Sequence, residues 1–271
     1  MQRRKLIQYA GISCLSMAGT LGTSSLIQAQ TKPTQTPAKP NNGLTVQWLG
    51  HTCFLFTGSG YRILVNPFRA IGCTAGYRLP KVEADFVLIS SQLWDEGAAE
   101  NLPGNPKILF EPGVYEIKDF KIQGIASPHD RQGGRRFGTN VAWRWTQGGI
   151  KIVHLGGAAS AIALEQKILL GTPDLALIPV GGGPKAYNPE EAKQAISVLQ
   201  PKIVIPTQFQ TVAADKKACD LVPVDAFLKL VSGMNVQKIP NDSIRITPSD
   251  LPKTGTVIRV LNSTNALAQK K

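Results

Sequence analysis

Three stretches of this chain are dense in side chains that could do chemistry. The run His129-Asp130-Arg131-Gln132-Gly133-Gly134-Arg135-Arg136-Phe137 places three guanidinium groups just after a histidine. Beside a cleft such planar forks suit carboxylate or phosphate recognition; away from one they make a solvated basic loop. Gly181-Gly182-Gly183-Pro184-Lys185 has the glycines of a phosphate loop but neither the Walker spacing nor the closing Ser or Thr, so it reads as a flexible turn. Ser90-Ser91 lacks a glycine elbow, which leaves a serine hydrolase unsupported. The histidine inventory constrains the chemistry most: the chain owns His51, His129 and His154 and no others.

The elements that must position these groups are legible as alternating patterns. Short runs rich in Val, Ile, Leu and aromatics, each bounded by Gly, Pro, Asn or Asp, predict strands near 44–49, 53–57, 61–66, 85–90, 107–110, 119–124, 140–146, 150–155, 175–180, 203–206, 235–239 and 243–247. Asn188-Pro189-Glu190-Glu191 supplies an N-cap, a first-turn proline and the acid of a capping box, predicting a helix to about Val198 that Pro201 stops. Ser160–Leu170 and Pro223–Val231 show the same helical spacing. Hairpins first, then strands alternating with helices, imply an α/β domain of two packed sheets flanked by helices over 44–248, with a strand-like C-terminal extension over 249–271.

A content of 42% hydrophobic and 18% charged residues excludes disorder of the whole chain. Basic residues number 30 against 18 acids, yet no concentrated basic stripe, zinc-finger spacing or helix-turn-helix pattern accompanies them, so nucleic acid is not an expected partner. Gln2-Arg3-Arg4-Lys5-Leu6-Ile7, followed by a mildly apolar stretch to Ala29, resembles a twin-arginine signal peptide over 1–29. Too many small polar residues interrupt that stretch for a membrane span, so contact with the membrane is expected only during export. Removal of Arg3, Arg4 and Lys5 with the leader takes the formal charge from +12 to +9. Residues 30–43 form a Pro/Thr-rich linker. The expected location is the periplasm or an equivalent compartment outside the cytoplasm. An oxidising compartment permits one bridge among Cys53, Cys73 and Cys219. Cys53 alternates with apolar neighbours like a buried residue, whereas Cys73 and Cys219 sit in loop contexts, so a Cys73–Cys219 disulfide is the working hypothesis.

Val46-Gln47-Trp48-Leu49-Gly50-His51-Thr52-Cys53-Phe54 and Ile63-Leu64-Val65-Asn66-Pro67-Phe68 resemble the opening of the metallo-β-lactamase superfamily, and more narrowly the metal-dependent hydrolases related to ascorbate-6-phosphate lactonase. The resemblance continues through Ala84–Ser90, Ser127-Pro128-His129, Ile152–Gly156, Pro173–Pro179 and Ile205–Phe209, covering roughly 44–212. It implies an αββα sandwich of two mixed sheets flanked by helices, with a site at one edge where divalent metal lowers the pKa of bound water and polarises the substrate.

The family's ligands are a His-x-His-x-Asp-His loop, a later His, a bridging Asp and a final His. Laid on this sequence, Ser91 and Leu93 replace the first two histidines, Asp95 is retained and Glu96 replaces the third. His129 is retained, Gly157 stands at the bridging Asp and Gln208 at the last His; Asn66 also departs from the usual Asp of its strand. Leucine and glycine offer no donor, and an amide is a poor zinc ligand, so the two-metal centre is excluded. Two readings of Asp95, Glu96 and His129 follow: a residual site for one Zn, Mn or Fe ion, or a turn cap and a hydrogen-bonded remnant. The first gives a divergent hydrolase of lactone, phosphoester or related bonds. The second gives a non-hydrolytic protein without a cofactor that binds an anionic small molecule through a remodelled cleft. His51 and His154 would support that cleft, Gln208 would line it, and Arg131, Arg135 and Arg136 would contribute charge. Trp94 and Phe209 would either wall the cleft or fill space vacated by metal and water.

Overall fold

The computed structural model describes residues 43–268. The expected leader and nearly all of the linker lie outside the described residues. Six strands form one mixed sheet: β1 (Leu44–Gly50), β2 (Cys53–Gly58), β3 (Tyr61–Val65), β4 (Phe86–Leu88), β5 (Lys107–Leu109) and β13 (Ser243–Ile246), in the order β13-β1-β2-β3-β4-β5. The second sheet holds β6 (Gly113–Ile117), β7 (Phe120–Pro128), β8 (Thr139–Gln147), β9 (Ile150–His154), β10 (Leu175–Pro179), β11 (Ile203–Thr207), β12 (Asn235–Lys238) and β14 (Val257–Val260). Its order is β12-β14-β11-β10-β9-β8-β7-β6.

Local chemistry explains the hairpin register. Ser59-Gly60 and Gly148-Gly149 have positive φ at both central positions, the geometry that matches strand twist in a two-residue loop, and they set Gly58 opposite Tyr61 and Gln147 opposite Ile150. Along β1 burial alternates, sending Leu44, Val46 and Trp48 into the space between the sheets. Phe54, Phe56, Trp143 and Trp145 meet them there, with Phe56 edge-on to Trp145 at 5.0 Å between ring centroids.

Among the described residues three α-helices, α1 (Leu164–Leu170), α2 (Pro189–Leu199) and α3 (Val224–Leu230), flank the eight-stranded sheet: α1 packs on β7, α2 on β10, and α2 also meets α1 and α3. The predicted box at α2 is present: Asn188 Oδ1 accepts from Glu191 N at 2.8 Å, and Glu191 Oε2 accepts from Asn188 N at 2.8 Å. Ala192, Ala195, Ile196 and Leu199 form its buried face. Cys53, Leu64 and Val87, on the other face of the six-stranded sheet, pack with Phe68, Tyr77 and Ala213 from loops. The Cys73–Cys219 disulfide joins two of those loops across 146 residues, and Cys53 is the buried free thiol expected. Strand β14 lies within the residues read as an extension and is wedged between β11 and β12, both parallel to it.

Candidate functional site

The loops that follow β1, β3, β4, β7, β9, β10 and β11 converge at one edge of the sandwich. Parallel pairing of β9, β10 and β11 brings their C-terminal ends together, and β3 and β4 do the same in the other sheet. Two contacts between the sheets, and one between the neighbouring β3 and β4 ends of the six-stranded sheet, fix the arrangement. His154 Nε2 meets the Thr52 carbonyl at 3.0 Å, Gln208 N donates to the His51 carbonyl at 3.4 Å, and Asn66 Oδ1 accepts from Ser90 N at 2.8 Å.

Glu96 and His129 are fully buried at the centre of this edge. Ser91 Oγ donates to Glu96 Oε2 at 2.9 Å, and His129 Nε2 stands 3.4 Å from the same oxygen. Burial, reinforced by the neighbouring Asp95 charge, pushes the Glu96 carboxyl up to about 7. Burial also lowers His129 to about 4, helped by the positive charge of Lys185. Gly157 lies directly against this pair. A Cβ there would clash with His129 Nε2 and lie 2.6 Å from Glu96 Oε1, so the carboxylate occupies volume that a side chain at position 157 would need.

Asp95 turns the other way and forms an ion pair with Lys185, while His51 Nε2 stands 3.7 Å from its Oδ2. Burial alone would raise the Asp95 carboxyl, but the adjacent imidazole and ammonium outweigh it and hold it well below the usual carboxylate range.

The other expected site residues divide by task. His154 is a buried brace: Gly156 N donates to its Nδ1 at 3.1 Å, which puts the proton on Nε2 and keeps the ring neutral, and burial lowers its pKa to about 3. Gln208, buried with φ +48, has no hydrogen-bond partner for either amide atom among the described residues, and the same holds for both ring nitrogens of His51 and His129. Arg131 is engaged away from the centre. It chelates Glu191 through Nε and Nη2 at 2.7 and 2.5 Å and donates to the carbonyls of Gly183 and Ala186. Arg135 and Arg136 are exposed, Arg136 lying 4.7 Å over the Phe137 ring. Trp94 is 60% exposed beneath the Arg69 guanidinium, so it does not fill the centre, whereas Phe209 is buried 5.4 Å from Trp48.

Two participants had no role in the sequence reading. Asn140 holds the post-β9 turn by accepting from Gly157 N at 3.1 Å and donating to the Leu155 carbonyl at 2.9 Å. Lys185 appeared only as the residue closing a failed phosphate loop. The one available signal was a cation behind three glycines in a chain that must neutralise Asp95 and Glu96.

The donors do not fit a two-cation centre. Leu93 and Gly157 supply nothing, Asp95 is committed to an ammonium, and among the described residues no three His, Cys, Asp or Glu side chains are grouped to hold an ion. A cleft of about 480 Å³ opens beside the centre, lined by residues including Ser90, Ser91, Leu93, Phe110, Phe137 and Thr139.

The two mixed sheets, with the site at the strand ends, define a metallo-β-lactamase-type sandwich. The β-lactamase superfamily domain matches residues 45–208, and this chain belongs to that superfamily. It is 30% identical over 198 residues to a metal-dependent hydrolase of Thermococcus onnurineus, covering 63% of this chain and 88% of the relative. A metal-dependent hydrolase of Thermus thermophilus is 28% identical over 194 residues, covering 61% and 84%. A solved structure from Thermotoga maritima, assigned to the Zn-dependent hydrolases of the metallo-β-lactamase superfamily, superimposes with a TM-score of 0.64 at 28% identity. That match covers 80% of this chain and 98% of the other.

Proposed function

We propose that this is an exported, non-hydrolytic member of the superfamily that binds a small anionic ligand beside a centre converted to hold no metal. The observation that carries the reading is the packing at Gly157, where Glu96 and His129 fill the space a bridging carboxylate would occupy. Hydrolysis in this fold needs a cation-activated water, and the polar groups left at the edge neither replace that cation nor form a nucleophile–base–orienter chain.

The anionic ligand is suggested by Arg135 and Arg136. Their loop is stiffened by Asp130, whose carboxylate accepts from the backbone N–H groups of Gln132, Gly134, Arg136 and Phe137. The same loop supplies Gly133, Gly134 and Gly138 to a groove of about 310 Å³ next to the cleft. The backbone N–H groups of Gly134 and Gly138 are already engaged with Asp130 and the Gly134 carbonyl, so the attraction for an anion comes from the exposed Arg135 and Arg136 guanidinium groups on this stiffened loop. With Arg131 committed to Glu191, recognition rests on the other two arginines. Export is supported by the leader-like start and by a disulfide of the kind oxidising compartments sustain.

Elemental analysis of the purified protein, with assays on lactones, phosphoesters and β-lactams, tests the reading. The expected result is substoichiometric metal and no turnover. Stoichiometric Zn, Mn or Fe that is lost on His129→Ala would instead establish the single-metal hydrolase, for which the unpartnered Glu96 Oε1 and His129 nitrogens are the favouring observation.

A further inference from the structure

One positive charge is carried into the converted centre by a loop shaped to deliver it. Gly181 can bear no side chain: a Cβ would lie 2.7 Å from Phe209 Cα and closer still to the Gln208 carbonyl. Gly182 and Gly183 take φ of +78° and +73°, conformations that glycine adopts without strain. Gly182 N donates to the Tyr187 carbonyl at 2.8 Å, closing the loop on itself. Arg131 then pins it, donating to the carbonyls of Gly183 at 2.8 Å and Ala186 at 2.9 Å while holding Glu191 on the first turn of α2. From this rigid support the Lys185 ammonium reaches Asp95, with side-chain exposures of 21% and 16% for the two partners.

We infer that Lys185 is the resident cation of the centre, a tethered ammonium that balances the Asp95 and Glu96 carboxylates in place of a divalent ion. The inference rests on the metal-free reading above and adds the residue that makes it workable. Two successive carboxylates at a shielded strand end repel one another, and burying them together requires a counter-charge. A lysine on a fixed loop meets that requirement with no ion to capture. It also closes the centre, because it engages Asp95 directly and its charge opposes entry of a second cation.

The test uses the chelator-treated protein and its Lys185→Met, Asp95→Asn and doubly substituted forms, melted with and without excess ZnCl2 or MnCl2 as the only additive. The wild-type Tm should not move with either ion. Lys185→Met keeps the length of the side chain but not the charge; its Tm should fall by about 5–10 °C and recover at least half of that with metal alone. The double variant should regain stability without metal, because the uncompensated carboxylate is gone.

A wild-type Tm that rises with metal as much as that of Lys185→Met would overturn the inference. So would a Lys185→Met protein with unchanged Tm and no response to metal. If Lys185→Met does not fold, a folded double variant supports the proposal and an unfolded one overturns it. Stoichiometric metal in the untreated wild type sinks both this inference and the metal-free reading. A metal-free wild type without coupling between Lys185 and Asp95 sinks this inference alone.

Discussion

Acid should unfold this protein through His154. The ring is fully buried, gives its Nε2 proton to the Thr52 carbonyl and accepts at Nδ1 from Gly156, so a second proton has nowhere to go. Its folded pKa is about 3 against an ordinary value of 6.5. The sign follows from linkage. Between those values the unfolded chain binds a proton that the folded one refuses, so stability is full above pH 6.5 and falls as the pH drops below it. The slope is about 1.4 kcal/mol per pH unit for one such group.

His129, lowered from 6.5 to about 4, acts in the same direction. Glu96 acts oppositely: raised from 4.5 to about 7, it takes up a proton in the folded state first and so adds stability as the pH falls from about 7 towards 4.5. Those two contributions nearly cancel, which leaves the His154 slope exposed. From pH 6.5 to pH 4.5 the loss should therefore be on the order of 3 kcal/mol. Urea unfolding at half-unit pH intervals measures it directly, and His154→Gln, which keeps an amide donor near Thr52, should flatten the slope by about 1.4 kcal/mol per unit. A wild-type stability that stays level or rises on acidification to pH 4.5, or a His154→Gln slope equal to that of the wild type, would refute the reasoning.

Other expectations follow from single contacts. Reduction of the Cys73–Cys219 bridge, or Cys219→Ser, releases a connection across 146 residues and should cost about 2–4 kcal/mol in urea unfolding; an unchanged midpoint would show that the two loops need no staple. Gly157→Ala should cost about 1–3 kcal/mol by overpacking, and combining it with Glu96→Ala should return part of that loss; thermal melts of the single and double variants decide. Arg131→Gln should forfeit only about 1 kcal/mol or less, because its pair with Glu191 is screened at side-chain exposures of 38% and 27%. It should nevertheless open the chain around Gly183 to limited proteolysis, and an unaltered digestion pattern would contradict the clamp.

Much of the sandwich was legible because its strands carry their own punctuation. The hairpin at Ser59-Gly60 and the cap at Asn188 are set by residues within a few positions of one another, so local chemistry decides them. Strand β6 escaped notice because Gly113–Ile117 is a short edge strand in which only Tyr115 and Ile117 turn to the core while the apolar Val114 is exposed, too brief an alternation to announce a strand. Strand β14 falls within the strand-like extension read over 249–271, but its bounds, Val257–Val260, and its place between two parallel neighbours inside the sheet are set by pairing that no local pattern announces. Helix α1 starts at Leu164 although helical spacing was read from Ser160, since the Ser160 hydroxyl is engaged with the Asp130 carbonyl in an extended approach.

The centre was legible as a list of missing donors, and that list located the edge without saying what fills it. Filling is a matter of contacts between distant positions: Lys185 meets Asp95 across 90 residues, and Arg131 meets Glu191 across 60. Each pair contains a residue whose sequence neighbourhood suggested a different task, the glycine run reading as a flexible turn and Arg131 as an anion contact. A buried carboxylate must be balanced by something, and a glycine facing it must be occupied by something. Applied to Glu96 and Gly157, those two requirements exclude a conventional ligand set on packing grounds as well as by histidine count. On the proposed metal-free reading, they also make the tethered ammonium of Lys185 the counter-charge required by a retained Asp95 beside a newly introduced Glu96.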